Sequence, residues 1–131
     1  MGGGGGPKYV FTSTVELKVA LYSYSKDPSK AIEEYGPLHQ WDTSEIIDMS
    51  FLFSNFSDFN VDISFVNTSN VTNMSDMFYN AISFNQFIGN WNTAKVTDMS
   101  NMFYKALSFN NGENAGEENA PLNWNTAKAT N

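Results

Sequence analysis

The chain has 131 residues, of which 41% are hydrophobic and 15% aromatic, and it carries 7 basic against 14 acidic side chains for a net charge of −7. That apolar content suffices for one domain with a core and excludes a disordered chain. The acidic balance, with lysine the only basic residue type, disfavours nucleic acid and anionic membrane surfaces as partners, and the lack of cysteine removes disulfides, thiolate nucleophiles and thiolate metal sites.

The first ten residues read as a flexible Gly-rich leader. Met1-Gly2-Gly3-Gly4-Gly5-Gly6-Pro7 has no charged segment followed by an apolar one, so the sequence given shows no secretory signal. No apolar run reaches the ~20 residues of a membrane span.

Residues 11–37 predict a helical pair. Ser13-Thr14-Val15-Glu16 forms a capping box ahead of Leu17, Ala20, Leu21 and Tyr24, which share one helical face at i, i+3, i+4 and i+7. Asp27-Pro28 places a capping carboxylate before a proline at the first helical position. Ala31, Ile32 and Tyr35 then supply the buried side, and Gly36-Pro37 ends the helix. Terminal units of a repeat stack need such a cap, because an end coil otherwise exposes its core.

From residue 38 onward the chain repeats itself. Ile46-Ile47-Asp48-Met49-Ser50-Phe51-Leu52-Phe53, Val71-Thr72-Asn73-Met74-Ser75-Asp76-Met77-Phe78 and Val96-Thr97-Asp98-Met99-Ser100-Asn101-Met102-Phe103 recur at a constant spacing of 25 (71 − 46 and 96 − 71). Trp41-Asp42-Thr43-Ser44, Val66-Asn67-Thr68-Ser69 and Trp91-Asn92-Thr93-Ala94 fall in phase upstream. Phe59-Asn60, Phe84-Asn85 and Phe109-Asn110 fall in phase downstream. A fourth copy starts at Trp124 instead of at position 116, where the spacing from Trp91 would put it, and this places an eight-residue surface insertion at 111–118. It stops half complete at Asn131, as expected of a segment of a longer chain.

A period of this length predicts a solenoid whose units bury apolar surface only against their neighbours. Within each unit we expect a short parallel strand near Gln86–Trp91 and a helical or irregular turn near Asp98–Lys105, capped by Asp98 or Ser100. Ile88 and Trp91 cannot both face inward from one straight strand, so a bend is expected at Gly89-Asn90.

Trp91-Asn92-Thr93-Ala94-Lys95-Val96-Thr97-Asp98-Met99-Ser100-Asn101-Met102-Phe103, with Ala81-Ile82-Ser83-Phe84-Asn85-Gln86, resembles the BspA-like leucine-rich-repeat surface proteins, in their branch with the mycoplasma lipoprotein-associated repeat. The likeness covers about residues 38 to 131. It implies a leucine-rich-repeat-like solenoid at the cell surface or outside the cell, engaged in adhesion and protein binding and not in catalysis. Val66 in place of Trp, Ala129 in place of Val and the insertion depart from the pattern.

The columns Met49, Met74, Met99, then Phe53, Phe78, Phe103, then Phe59, Phe84, Phe109 are expected to form the repeat core, since residues recurring at the stacking interval supply each unit's buried surface. Asn60, Asn85 and Asn110 are read as a ladder that satisfies turn backbone. Asp48, Asn73 and Asp98 are read as caps in preference to calcium ligands, because neither the EF-hand nor the Gly-rich β-helix pattern is present. Tyr79, Phe87 and Tyr104 are the candidates for partner contact, as amphipathic rings outside the core, with partial packing against neighbouring turns as the alternative reading. A Thr43, Thr68, Thr93, Thr126 column suggests ice binding only remotely, since it lacks a second threonine row.

His39 is the only histidine and sits at a boundary; no nucleophile motif or phosphate-cradling loop occurs, so no enzyme, cofactor or metal is expected. The sequence thus predicts a noncatalytic binding or adhesion module with an unidentified protein or glycan ligand. The alternative is a structural spacer of a longer protein without a ligand of its own.

Overall fold

In a computed structural model, residues 8–114 and 122–130 are described. The chain enters on strand β1 (Tyr9–Val10), runs through helices α1 (Thr14–Lys26) and α2 (Pro28–Tyr35), makes one 3-10 turn at Leu38–Gln40 and reaches strand β2 (Trp41–Asp42). β1 pairs with β2 in parallel, Tyr9 against Trp41. Tyr9 and Val10, assigned by sequence to the flexible leader, are therefore held in a sheet. The reason is aromatic: Tyr9, Phe11, Tyr35 and Trp41 gather with ring centroids 4.7–5.6 Å apart. Residues 1–7 of the expected leader lie outside the described residues.

Both helices start where their caps require. The Ser13 hydroxyl accepts from the Glu16 N–H at 3.1 Å and the Asp27 carboxylate from the Lys30 N–H at 3.2 Å. Only half of the capping box forms, because the Glu16 carboxylate accepts instead from the Tyr9 hydroxyl at 2.7 Å. That bond holds the Tyr9 phenol in its protonated form and pushes its pKa up to about 12. Leu17, Ala20 and Leu21 are buried on α1 and Tyr24 is half-buried. On α2 the buried side is Ala31 and Tyr35 alone; Ile32, expected to join them, is 40% exposed.

Beyond residue 41 the backbone passes equivalent positions once per repeat, one coil beside the next. Met49, Phe51, Phe53 and Asn55 donate their N–H groups to the carbonyls of Asn73, Ser75, Met77 and Tyr79 at 2.9–3.1 Å. Met74, Asp76, Phe78 and Asn80 donate likewise to Asp98, Ser100, Met102 and Tyr104 at 2.8–2.9 Å. Between these donors, the N–H groups of Leu52, Ser54 and Phe56 close tight turns onto Met49, Phe51 and Phe53.

This alternation depends on a left-handed residue every fourth position: Phe51 and Asn55 (φ 61° and 65°), Asp76 and Asn80 (56° and 59°), Asn101 and Lys105 (53° and 60°). Each rotates the peptide plane out of the helical direction, so alternate N–H groups point at the next coil. Asp98–Lys105 is accordingly a string of overlapping turns: of the two forms expected there, helical and irregular, it takes the irregular one. No strand forms at 86–91 either; the parallel bridges join Asp48, Asn73 and Asp98. The bend at Gly89-Asn90 is present, with the Trp91 N–H closing onto the Ile88 carbonyl, and both Ile88 and Trp91 point inward.

The core is a set of side-chain columns. Phe53, Phe78 and Phe103 stack at 5.2 and 5.5 Å with rings within 5° of parallel. Phe59, Phe84 and Phe109 run beside them at 6.4 and 5.9 Å. Met49, Met74, Phe53, Phe59, Phe78 and Phe84 are buried, whereas Met99, Phe103 and Phe109 in the third coil are half-buried. The helices cover the opposite side of the first coil: Leu17 and Leu21 lie next to Leu52 and Phe53, and the Thr14 hydroxyl donates to the Asp48 carbonyl at 2.6 Å.

Phe78→Ala is expected to cost about 3–5 kcal/mol, and Phe103→Ala clearly less because its ring is incompletely covered; urea denaturation of the two variants checks the order. Asn80→Val forces a β-branched residue into the left-handed region and is expected to destabilise by about 1–2 kcal/mol relative to Asn80→Gly. Since both changes remove the same side-chain hydrogen bond, comparing them isolates the backbone effect.

Candidate interaction surface

The polar columns are built from the same period as the core. The Asn60 carboxamide oxygen accepts the Asn85 N–H at 2.8 Å, and that of Asn85 accepts the Asn110 N–H at 2.7 Å. Asn60, Asn85 and Asn110 thus tie successive coils through side chain to backbone. The threonine column points inward: Thr43, Thr68 and Thr93 are buried and their hydroxyls donate to the carbonyls of Asn67, Asn92 and Asn125 at 2.8–3.0 Å. An outward ice-binding row is thereby ruled out for these three.

Asp48, Asn73 and Asp98 each accept the N–H two residues on, from Ser50, Ser75 and Ser100 at 2.8–2.9 Å. They close side-chain turns instead of capping helices, which do not follow. No group of three His, Asp or Glu side chains able to hold a metal occurs among the described residues. The Ser100 backbone N–H, with its hydroxyl second, holds the Asp98 carboxyl below its ordinary pKa. The Ser44 hydroxyl does the same for Asp42, helped by the Ser44 N–H.

Of the contact candidates, Tyr79 and Tyr104 come together. Tyr79 is half-buried, Tyr104 is 51% exposed, and their rings stack at 5.4 Å and 17°. Lys105 places its ammonium 5.6 Å from the Tyr104 ring centre. Asn80, next to Tyr79, donates to the Asn55 carboxamide at 3.0 Å. Phe87 is 50% exposed and stands on irregular backbone, not on a strand, packed beside Gly89 and Gly112. It makes no ring contact with either tyrosine among the described residues. Of the insertion, only 111–114 falls within the described residues, and Asn111 is buried, its carboxamide accepting the Ile88 N–H at 2.9 Å. It is part of the fold there and not surface loop.

A second exposed site was not foreseen. Between the end of α1 and the first coil lies a cleft of about 200 Å³ lined by Tyr22, Tyr24, Lys26, Asn55, Phe56 and Asp58, among others. Tyr22 is 57% exposed and meets Phe56 edge to face at 6.4 Å. The signal was present in the sequence, since Tyr22 falls off the apolar stripe formed by Leu17, Ala20, Leu21 and Tyr24. His39 lies on the 3-10 turn with its ring edge-on to Phe65 at 6.5 Å.

The structure thus ties equivalent positions of successive repeats to one another by backbone hydrogen bonds and exposes aromatic side chains, Tyr22, Phe87 and Tyr104 among them. The chain belongs to the family described as "Mycoplasma protein of unknown function, DUF285", which matches residues 23–131. No curated protein and no solved structure matches it. No helix among the described residues is long and apolar enough to cross a membrane.

The lowered Asp98 pKa gives a signed prediction. A carboxyl more acidic in the folded chain contributes stability above its unfolded value, and that contribution is lost as pH falls through the carboxylate range, below about 4. Asp98→Asn, which keeps the turn as Asn73 does one coil earlier, is expected to flatten the fall in melting temperature between pH 7 and pH 3. Thermal melts at the two pH values check it.

Proposed function

We infer that the chain is a noncatalytic binding or adhesion module built as a leucine-rich-repeat-like solenoid with the helical pair as its cap. Its likeness to BspA-like surface proteins suggests action at the cell surface or outside the cell. The observation that carries the binding reading is the Tyr79–Tyr104 stack. Two amphipathic rings stand side by side on backbone that is hydrogen-bonded coil to coil, so little side-chain or loop freedom remains to be lost when a partner docks. Tyrosine combines a large apolar face with a hydroxyl, which suits protein surfaces and the polar and C–H faces of glycans alike.

The alternative of a structural spacer draws on the regular coil-to-coil hydrogen bonding, which extends the molecule without needing a ligand. The two readings separate experimentally. Screening the chain on a glycan array and on immobilised proteins is expected to give saturable binding that weakens about tenfold or more in the Tyr79→Ser/Tyr104→Ser double variant, with the fold retained by circular dichroism. Binding that is unaffected by the double change, or no binding to any surface, contradicts the binding reading at this face; the second result favours the spacer.

A further inference from the structure

The first coil departs from its own repeat beside the helical cap. Phe56-Ser57-Asp58 stands where the later coils carry Ala81-Ile82-Ser83 and Ala106-Leu107-Ser108. All three residues line the cleft of about 200 Å³ between the end of α1 and the first coil, together with Tyr22 and Lys26. Packing against the helix accounts for a phenylalanine at 56, whose ring meets that of Tyr22 edge to face at 6.4 Å. It does not account for Ser57 and Asp58, which are exposed and whose side chains have no hydrogen-bond partner among the described residues.

The asparagine ladder also begins at this cleft. The NH2 groups of Asn85 and Asn110 donate to the Glu113 and Asn114 carbonyls at 2.7 and 3.2 Å. Asn60, which lines the cleft, engages only its carboxamide oxygen, and its NH2 group has no acceptor among the described residues. Asn55, also on the cleft, accepts from Asn80 at 3.0 Å and likewise leaves its NH2 group without an acceptor among the described residues. The lining therefore combines carboxamide donors, the Asp58 carboxylate as an acceptor and the aromatic surface of Tyr22 and Phe56. The Lys26 ammonium, 5.4 Å from the Tyr22 ring centre, offsets the charge of Asp58.

We propose that this cleft is a subsite for one neutral sugar ring. A sugar hydroxyl both donates and accepts, so neighbouring hydroxyls of one ring can meet a carboxylate acceptor and carboxamide donors together, while the C–H face of the ring packs on aromatic surface. One exposed cation and one exposed anion give little net attraction for an ion of either sign. The volume falls below the ~300–1,000 Å³ of clefts that hold drug-sized ligands and suits a single ring. The cleft shares no residue with the Tyr79–Tyr104 stack, so occupancy of the two faces can be read separately.

The test follows the backbone and carboxamide N–H signals of the isotope-labelled chain by NMR while methyl glucoside, methyl galactoside, methyl mannoside or N-acetylglucosamine is added to about 50 mM, a range that reveals millimolar affinity. At least one of these sugars is expected to shift the backbone signals of Asn55, Phe56 and Asp58 and the NH2 signals of Asn55 and Asn60 saturably. Tyr22→Ser and Asp58→Ser, the second restoring the residue of the later coils, are each expected to weaken that binding about tenfold, with the signals of the buried Phe78 and Phe84 unchanged as the check on folding. No shift with any of these sugars overturns the proposal, as does binding that both variants leave unchanged. Equal shifts with glycine at the same concentration would identify an ionic site and overturn it too. Shifts confined to Tyr79 and Tyr104 would overturn it while supporting binding at that other face.

Discussion

The structure depends on a backbone that sends alternate N–H groups out of its own turn and into the neighbouring coil. An α-helix directs every N–H along its own axis and a strand sends them to both sides. The segments 47–55, 72–80 and 97–105 do neither, because a left-handed residue at every fourth position flips the intervening peptides. In the first two of these segments, part of the N–H groups close tight turns and four in each tie the coil to the next. With almost no regular secondary structure beyond residue 42 among the described residues, the repeat region is still held by backbone hydrogen bonds from coil to coil.

That constraint dictates the packing. Coils held one repeat out of step by hydrogen bonds must superpose like side chains, and identical aromatics then meet nearly face to face with an offset, as the Phe53–Phe78–Phe103 column does. The asparagine column and the inward threonines add side-chain bonds at the same interval. Each layer's stability is therefore tied to the layer on either side, in the manner of one-dimensional repeat stacks. The aromatic cluster of Tyr9, Phe11, Tyr35 and Trp41 and the apolar face of α1 stand where a preceding coil would otherwise be needed.

The interval and the core columns were legible in the sequence because they are long-range regularities: a residue type recurring in register at a constant spacing has few explanations other than stacking. Local conformation was legible at the two helix caps and at the Gly89-Asn90 bend, but not in the turns of the repeats. Asp98-Met99-Ser100 looks like the start of a helix, since a short polar cap before apolar residues is the usual signal, and nothing at Phe51 or Lys105 announces a left-handed backbone. Neither residue favours that region, so tertiary hydrogen bonding has overridden local preference there. The strand expected at Gln86–Trp91 failed for the reason already visible in its own residues: Ile88 and Trp91 both had to point inward, which only a bend allows. Among the surface candidates, the pairing of Tyr79 with Tyr104 followed from the period. The cleft at Tyr22 and Phe56 joins two parts of the chain with no common repeat, so no spacing rule connected them.

For function, the rigid display of side chains at a fixed interval is the property that the binding and spacer readings share, and both fail if the coils are not tied together. Native-state amide hydrogen exchange measures this most directly. The N–H groups of Met49, Phe51, Phe53, Asn55, Met74, Asp76, Phe78 and Asn80 are expected to exchange as one slow set. Exchange of these eight as fast as that of exposed turn amides would contradict the stacked arrangement.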